Sequence, residues 1–283
     1  MQSSPARFDR PAQPRRPDWF ATPEDTTLAA TLGFRFAPGG VHLSKTMMLA
    51  ELTATLSQLA EGDAVAVERA VVAGNLLGKA TGAGRRLALS HLNTLYGILA
   101  PRPVQTALLR LWPRNPLGRP LLALLCALAR EPLLRTTASA VLPAAVGTAL
   151  RWPDLAAVLA AEHPGRYSSK TLQALAQHCA SSWTQSGHLK GRVNKRRRLA
   201  EPSPEAAAYG ALLGAIAGFG GPTLLRSPWM RVLDRSESEL LALLRRAESV
   251  GLARIRAGGG VIQIDIRRPM AELLEVPELD NTG

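Results

Sequence analysis

Six cations crowd into nine residues at Lys190, Arg192, Lys195, Arg196, Arg197 and Arg198. Neutralising a phosphate backbone needs closely spaced cations and tolerates loose geometry, so this run suits contact with a nucleic acid. A solvated linker or a nuclear-import signal would use the same residues. Two further groups carry related chemistry. Lys79, Arg85 and Arg86 bracket Thr81-Gly82-Ala83-Gly84, where the amides of a helix start would lie beside three cations and suit a phosphate. The spacing is not that of a nucleotide-binding loop, because no Gly-Lys-Ser/Thr ending is present, and a capped helix with exposed basic residues explains it equally. Arg245, Arg246, Arg254 and Arg256 form the third group, near the end of the chain.

Residues for catalysis or metal binding are not assembled in the same way. His42, His91, His163, His178 and His188 are scattered, and none forms a metal-ligand spacing with Cys, Asp or Glu. Acidic residues fall mostly in helix caps and the C-terminal tail, so no paired-carboxylate centre stands out. The expectation is a non-catalytic protein without metal or cofactor. Cys126 and Cys179 sit in apolar or Ala-rich stretches and read as buried free thiols of a reducing cytoplasm.

Composition fits that picture. The 283 residues carry a formal charge of +12, which attracts polyanions through the summed field of many cations. An Arg-rich bias from a GC-rich genome would raise the charge equally. Hydrophobic residues make up 46% and aromatics 5%, with Ala, Leu and Arg prominent, so the fold should be mainly α-helical with a real core. No signal peptide is visible, and the longest apolar stretches fall short of the about 20 residues that cross a bilayer.

The elements that must position these cations can be read from caps and periodicity. Residues 1–25, rich in Pro, Arg and Ser, read as a flexible arm. Ser44 is placed to cap a helix with Met48, Leu49, Leu52, Leu56 and Leu59 inward, closed by Gly62. Asp63 opens a second, and Thr81 a third with Leu92, Leu95 and Leu99 inward. Leu121 to Ala129 is apolar all round and should be the central helix. A stretch from Leu133 to Leu150 is expected to break or kink at Pro143. Asp154 to His163 is a short helix, and Ser168 caps a long one bearing Leu172, Leu175, Cys179 and Trp183 on its face. Glu201-Pro202-Ser203-Pro204 reads as a linker, and Glu272 to Asp280 as a loose acidic tail.

The last quarter is the most explicit. Ser236-Glu237-Ser238-Glu239 fits a capping box, ahead of Leu240, Leu241, Leu243, Leu244 and Val250 at helical spacing. Gly251 follows, then Leu252 to Arg256, a turn at Ala257-Gly258-Gly259-Gly260, and alternating Val261 to Ile266. Helix, strand, glycine tip and strand is the order of a winged helix-turn-helix. Its presumed recognition helix opens with Glu237 and Glu239, which would repel phosphates, so either the wing alone touches DNA or the unit docks a protein.

Two stretches carry a family resemblance. Gly33-Phe34-Arg35-Phe36 through Gly39-Gly40, then Ala73-Gly74-Asn75-Leu76-Leu77-Gly78-Lys79-Ala80-Thr81 and Arg85-Arg86, resembles BrxA, an accessory protein of BREX phage-defence systems. Tyr167-Ser168-Ser169-Lys170-Thr171-Leu172, with Trp183 and Gly187-His188-Leu189, is similar to that family's later helix and turn, here with His188 inserted. The likeness covers roughly residues 30–200, and this chain departs from it by its N-terminal arm and by residues 205–268. It implies a NusB-like helical bundle that binds DNA without catalysis, beside a methyltransferase and an ATPase in a bacterial defence island. Carried over by position, it makes Lys79, Thr81, Arg85 and Arg86 DNA contacts.

The resulting expectation is a helical domain over 26–198 ending in the basic segment, a winged helix over 203–268, and an acidic tail over 269–283. Duplex DNA is the expected partner, held mainly through phosphates with weak sequence specificity. A scaffold within a defence complex, or a NusB-like RNA-binding protein, are the alternatives, and scarce aromatics for base stacking argue mildly against RNA.

Overall fold

The computed structural model describes residues 19–37, 39–61, 63–258 and 261–280. Most of the expected arm, together with Gly62, Gly259, Gly260 and the last three residues, lies outside them. The chain is mainly helical. It starts with α1 (Asp25–Leu32), α2 (Leu49–Glu61), α3 (Ala64–Val72), α4 (Gly82–Tyr96) and α5 (Pro103–Leu111). Asp63 and Thr81 cap α3 and α4 as their types predict, accepting from the amides of Ala66 (2.8 Å) and Gly84 (3.0 Å). Ser44 does not cap α2. That helix begins at Leu49, after Met48 at φ 55°, and its first amide donates to Oε1 of Gln185 at 2.8 Å. A distant side chain has taken over the local cap.

At the centre is α6 (Arg119–Arg130). Every residue from Leu121 to Ala129 is buried, which explains why the sequence shows no polar face there. Fully burying each of its five leucines contributes about 1.5–3 kcal/mol. Arg130 and Arg135 serve the turn that follows. The Arg135 guanidinium donates to the carbonyls of Leu128 (2.8 Å), Ala129 (3.3 Å) and Arg35 (3.1 Å), acceptors that the end of α6 would leave unpaired.

The next stretch differs from the expected kinked helix. α7 (Pro132–Val141) stops before Pro143, and Ala149–Leu150 form a short strand, β1. Helices α8 (Trp152–Glu162) and α9 (Ser169–Gln185) follow, then strands β2 (Leu189–Lys190) and β3 (Lys195–Arg197). The three strands form an antiparallel sheet in the order β1-β3-β2, with Ala149 opposite Arg196 and Leu189 opposite Arg197. α7, α8 and α9 pack on one another behind it.

The C-terminal part contains α10 (Pro204–Ile216), α11 (Gly221–Arg226), α12 (Pro228–Arg231) and α13 (Glu237–Glu248). Antiparallel strands β4 (Arg254–Gly258) and β5 (Val261–Asp265) come next, then α14 (Arg267–Leu274). The capping box at α13 is formed as read, with Glu239 accepting from the Ser236 amide at 2.9 Å. Residues 272–280 are not loose. α14 and the turn Pro277–Leu279 lie on α5 and α10, burying Leu274, Val276 and Leu279. Nor does the linker at 199–203 divide the core. One hydrophobic cluster runs from Ala29 to Leu279, α10 packs on α6, and the Tyr209 hydroxyl donates to the Val104 carbonyl at 2.8 Å. Residues 19–21, at the end of the expected arm, are docked: Trp19 packs edge-on to Trp229, whose indole N–H donates to the Trp19 carbonyl at 2.9 Å. No helix among the described residues is long and apolar enough to cross a membrane.

Candidate nucleic-acid interface

The basic run of 190–198 is a β-hairpin, not a loop. Alternation along a strand sends neighbouring side chains to opposite faces. Lys190 and Arg196 lie opposite each other on the exposed face, and Arg192 and Val193 are exposed at the tip, Val193 at 81%. Gly191 sits at φ +118°, where an added Cβ would lie 2.3 Å from the Asn194 carbonyl oxygen, so the tight tip needs glycine. Lys195 is half-buried. Its ammonium donates to Thr184 Oγ1 (2.9 Å) and the Gly191 carbonyl (3.2 Å), tying the hairpin to the end of α9, and burial lowers its pKa. Arg198 is exposed just beyond β3.

Arg197 corrects the expected set of phosphate contacts. It points inward at 2% exposure and pairs through both terminal nitrogens with Asp234, at 2.9 Å for Nη1 to Oδ2. Its Nε donates to the Val141 carbonyl at 2.9 Å. A guanidinium whose fork is filled by a buried carboxylate cannot also hold a phosphate. His188 completes this network. Its Nε2 lies 2.8 Å from the Val232 carbonyl and 3.6 Å from Asp234 Oδ2, and Nδ1 lies 2.9 Å from Ser186 Oγ. Burial lowers the imidazole pKa to about 4, although Asp234 pulls it upward.

The residues around Thr81 are also used internally. Lys79 pairs with Glu51 at 3.0 Å. The Arg85 guanidinium donates to the carbonyls of Lys79 (3.3 Å) and Val72 (3.2 Å), which fastens the segment between α3 and α4. Thr81 spends its hydroxyl on the cap, and Arg86 alone of the four is exposed. In the C-terminal part Arg245 and Arg246 are exposed on α13, and Arg254 and Arg256 on β4. The register sets Arg254 opposite Asp265 and Arg256 opposite Gln263. Glu237 and Glu239 are exposed at the start of the same α13.

A face absent from the sequence reading lies on α9. Lys170, Gln173 and Gln177 are exposed at i, i+3 and i+7, and their side chains bond to no described residue. Arg166 is exposed in the turn before them. The apolar stripe Leu172, Leu175, Cys179 and Trp183 was legible, and the polar stripe opposite it was the signal available. From 132 to 198 the chain holds ten Lys/Arg against two acidic residues, and from 203 to 268 nine against six. Positive charge is therefore concentrated around α9 and its hairpin.

One buried cluster has the residue types of a nucleophilic triad. His42 Nε2 lies 2.8 Å from Ser182 Oγ, and Nδ1 lies 3.6 Å from Glu131 Oε2. All three are fully buried, and Ser182 Oγ already accepts from the Met47 amide at 2.9 Å and donates to the His178 carbonyl at 3.1 Å. The cluster anchors α9 to residues 41–47. Among the described residues no three His, Cys, Asp or Glu are grouped to hold a metal ion. No protein-family model and no curated protein matches the chain.

Proposed function

We propose that this chain is a non-catalytic protein that binds duplex DNA, with residues 132–198 as the main contact. One observation carries the reading: helix, strand, helix, helix, then a basic two-stranded hairpin, with the strands in the order β1-β3-β2. That is the winged-helix order, one unit earlier than the sequence suggested. Lys190, Arg192, Arg196 and Arg198 form the phosphate-contacting wing. α10 to β5 form a second winged unit, without a first strand, whose Arg254 and Arg256 extend the phosphate surface. The acidic start of α13 turns its helix away from DNA and suits contact with a protein. The resemblance to BrxA supports a role in BREX-type phage defence beside a methyltransferase and an ATPase, with the helices before α7 as its NusB-like part.

The test is a fluorescence titration on unrelated duplexes across a salt series. Wild type should bind, with affinity falling steeply as salt rises. Replacing Lys190, Arg192, Arg196 and Arg198 by Gln should flatten the log–log slope by about 3 to 4, near 0.9 per lost phosphate contact. Absence of binding at low salt, or an unchanged slope, overturns the reading.

A further inference from the structure

We propose that α9 reads sequence: it lies in the major groove of B-form DNA with Lys170, Gln173 and Gln177 on base edges, while the β2–β3 tip holds the flanking backbone. This rests on the reading that the chain binds duplex DNA, and it replaces the expected weak specificity with a defined site.

The chemistry of the face points to bases as well as phosphates. A surface built only for phosphates needs cations. The exposed centre of α9 instead presents two carboxamides and one ammonium, unbonded within the protein. A Gln carboxamide pairs with adenine N6 and N7 through one donor and one acceptor, and a Lys ammonium donates to guanine O6 and N7. At 1.5 Å of rise per residue, positions 170 to 177 span about 10.5 Å, close to three base-pair steps of 3.4 Å. The target is therefore a short, purine-containing run.

Neighbouring groups fit the same pose. Recognition helices present their N-terminal residues, and here Ser168, Ser169, Lys170 and Thr171 bring one cation and no carboxylate to the groove. α13 brings Glu237 and Glu239 to the equivalent position, which excludes it from the same role. Lys195 joins the hairpin to Thr184, on the same stripe of α9 as Gln177, so tip and helix are held as one surface. The rest of α9 is immobilised: Trp183 Nε1 donates to Thr137 Oγ1 at 2.8 Å, and Ser182 is held by His42. A rigid helix suits the wide major groove of DNA, whereas the deep, narrow major groove of an RNA duplex does not admit one.

The experiment is selection from a randomised duplex pool by the full-length protein, followed by titration of the enriched duplex and a scrambled one. Wild type should enrich a purine-containing core and favour it at least tenfold over the scrambled duplex. Gln173→Ala with Gln177→Ala should erase about a tenfold or larger share of that preference while binding the scrambled duplex as before. Arg192→Ala should weaken both duplexes alike. Binding without any enriched core, or the same core selected by the double variant, overturns the inference and leaves duplex binding standing. No binding to any duplex overturns the underlying reading instead, and tighter binding to single-stranded RNA than to duplex overturns both.

Discussion

Arg197, Asp234 and His188 show how one buried carboxylate can redirect a basic run. The Asp234 carboxylate takes the Arg197 fork and also accepts from the Ala200 amide at 2.9 Å, so β3 is joined to the turn before α13. His188 fills the remaining space and donates from Nε2 to Val232 in its neutral form. Burial lowers its pKa from the ordinary 6.5 to about 4, so the folded state favours the neutral ring. An unfolded chain takes up this proton as pH falls through 6.5, and the folded chain does so only near 4. Stability is therefore lost between those values, by roughly 3 kcal/mol, with no further loss from this group below pH 4. Urea unfolding at pH 7 and pH 4.5 should show a larger drop for wild type than for His188→Gln. Equal drops would mean that the ring is protonated in the fold.

Among the elements, the β2–β3 hairpin depends most on a single backbone conformation. Gly191→Ala puts a Cβ against the Asn194 carbonyl at a φ that side chains rarely adopt, costing about 1–3 kcal/mol in the hairpin. The core beneath is untouched, so thermal unfolding should shift by a few degrees at most, while titration on any duplex should weaken several-fold. Undiminished affinity would show that the tip does not touch the backbone. The hairpin was hidden in the sequence for a physical reason. Strands are recognised by alternation of apolar and polar residues, and a run of cations alternates nothing, so inward Arg197 looks like outward Arg196. β1 is two residues long and pairs with a strand 45 residues away, which no local period can announce. α6 and α13 were legible because local signals agreed with their burial: an unbroken apolar run in one, a capping box with a helical stripe in the other. Likewise, Thr81 was legible as a cap, but the carbonyls that hold Arg85 come from α3 and the segment after it. The likeness that made Arg85 a DNA contact could not show that they occupy it.

Across the whole molecule, the core and the charge obey different boundaries. Cations gather between 132 and 198, but the apolar contacts that support that region come from both sides of it. α10 lies on α6, and Trp229 closes an aromatic cluster with Trp19, Phe20 and Phe34. Tyr209, Leu212, Leu213, Trp229 and Met230 are all fully buried, against a core that the preceding residues share. Exposing each surface they cover costs about 1.5–3 kcal/mol, and several such losses match the 5–15 kcal/mol that holds a whole domain together. Asp234 would be lost as well, leaving Arg197 buried without its counter-ion, which costs about 3–5 kcal/mol more. A chain ending at Leu199 would keep every element around α9, yet it should not fold alone. Circular dichroism should show helix without a cooperative urea transition, and a hydrophobic dye should bind strongly. A sharp transition in that shortened chain would mean that residues 26–199 close their own core and that the contacts of α10 contribute little.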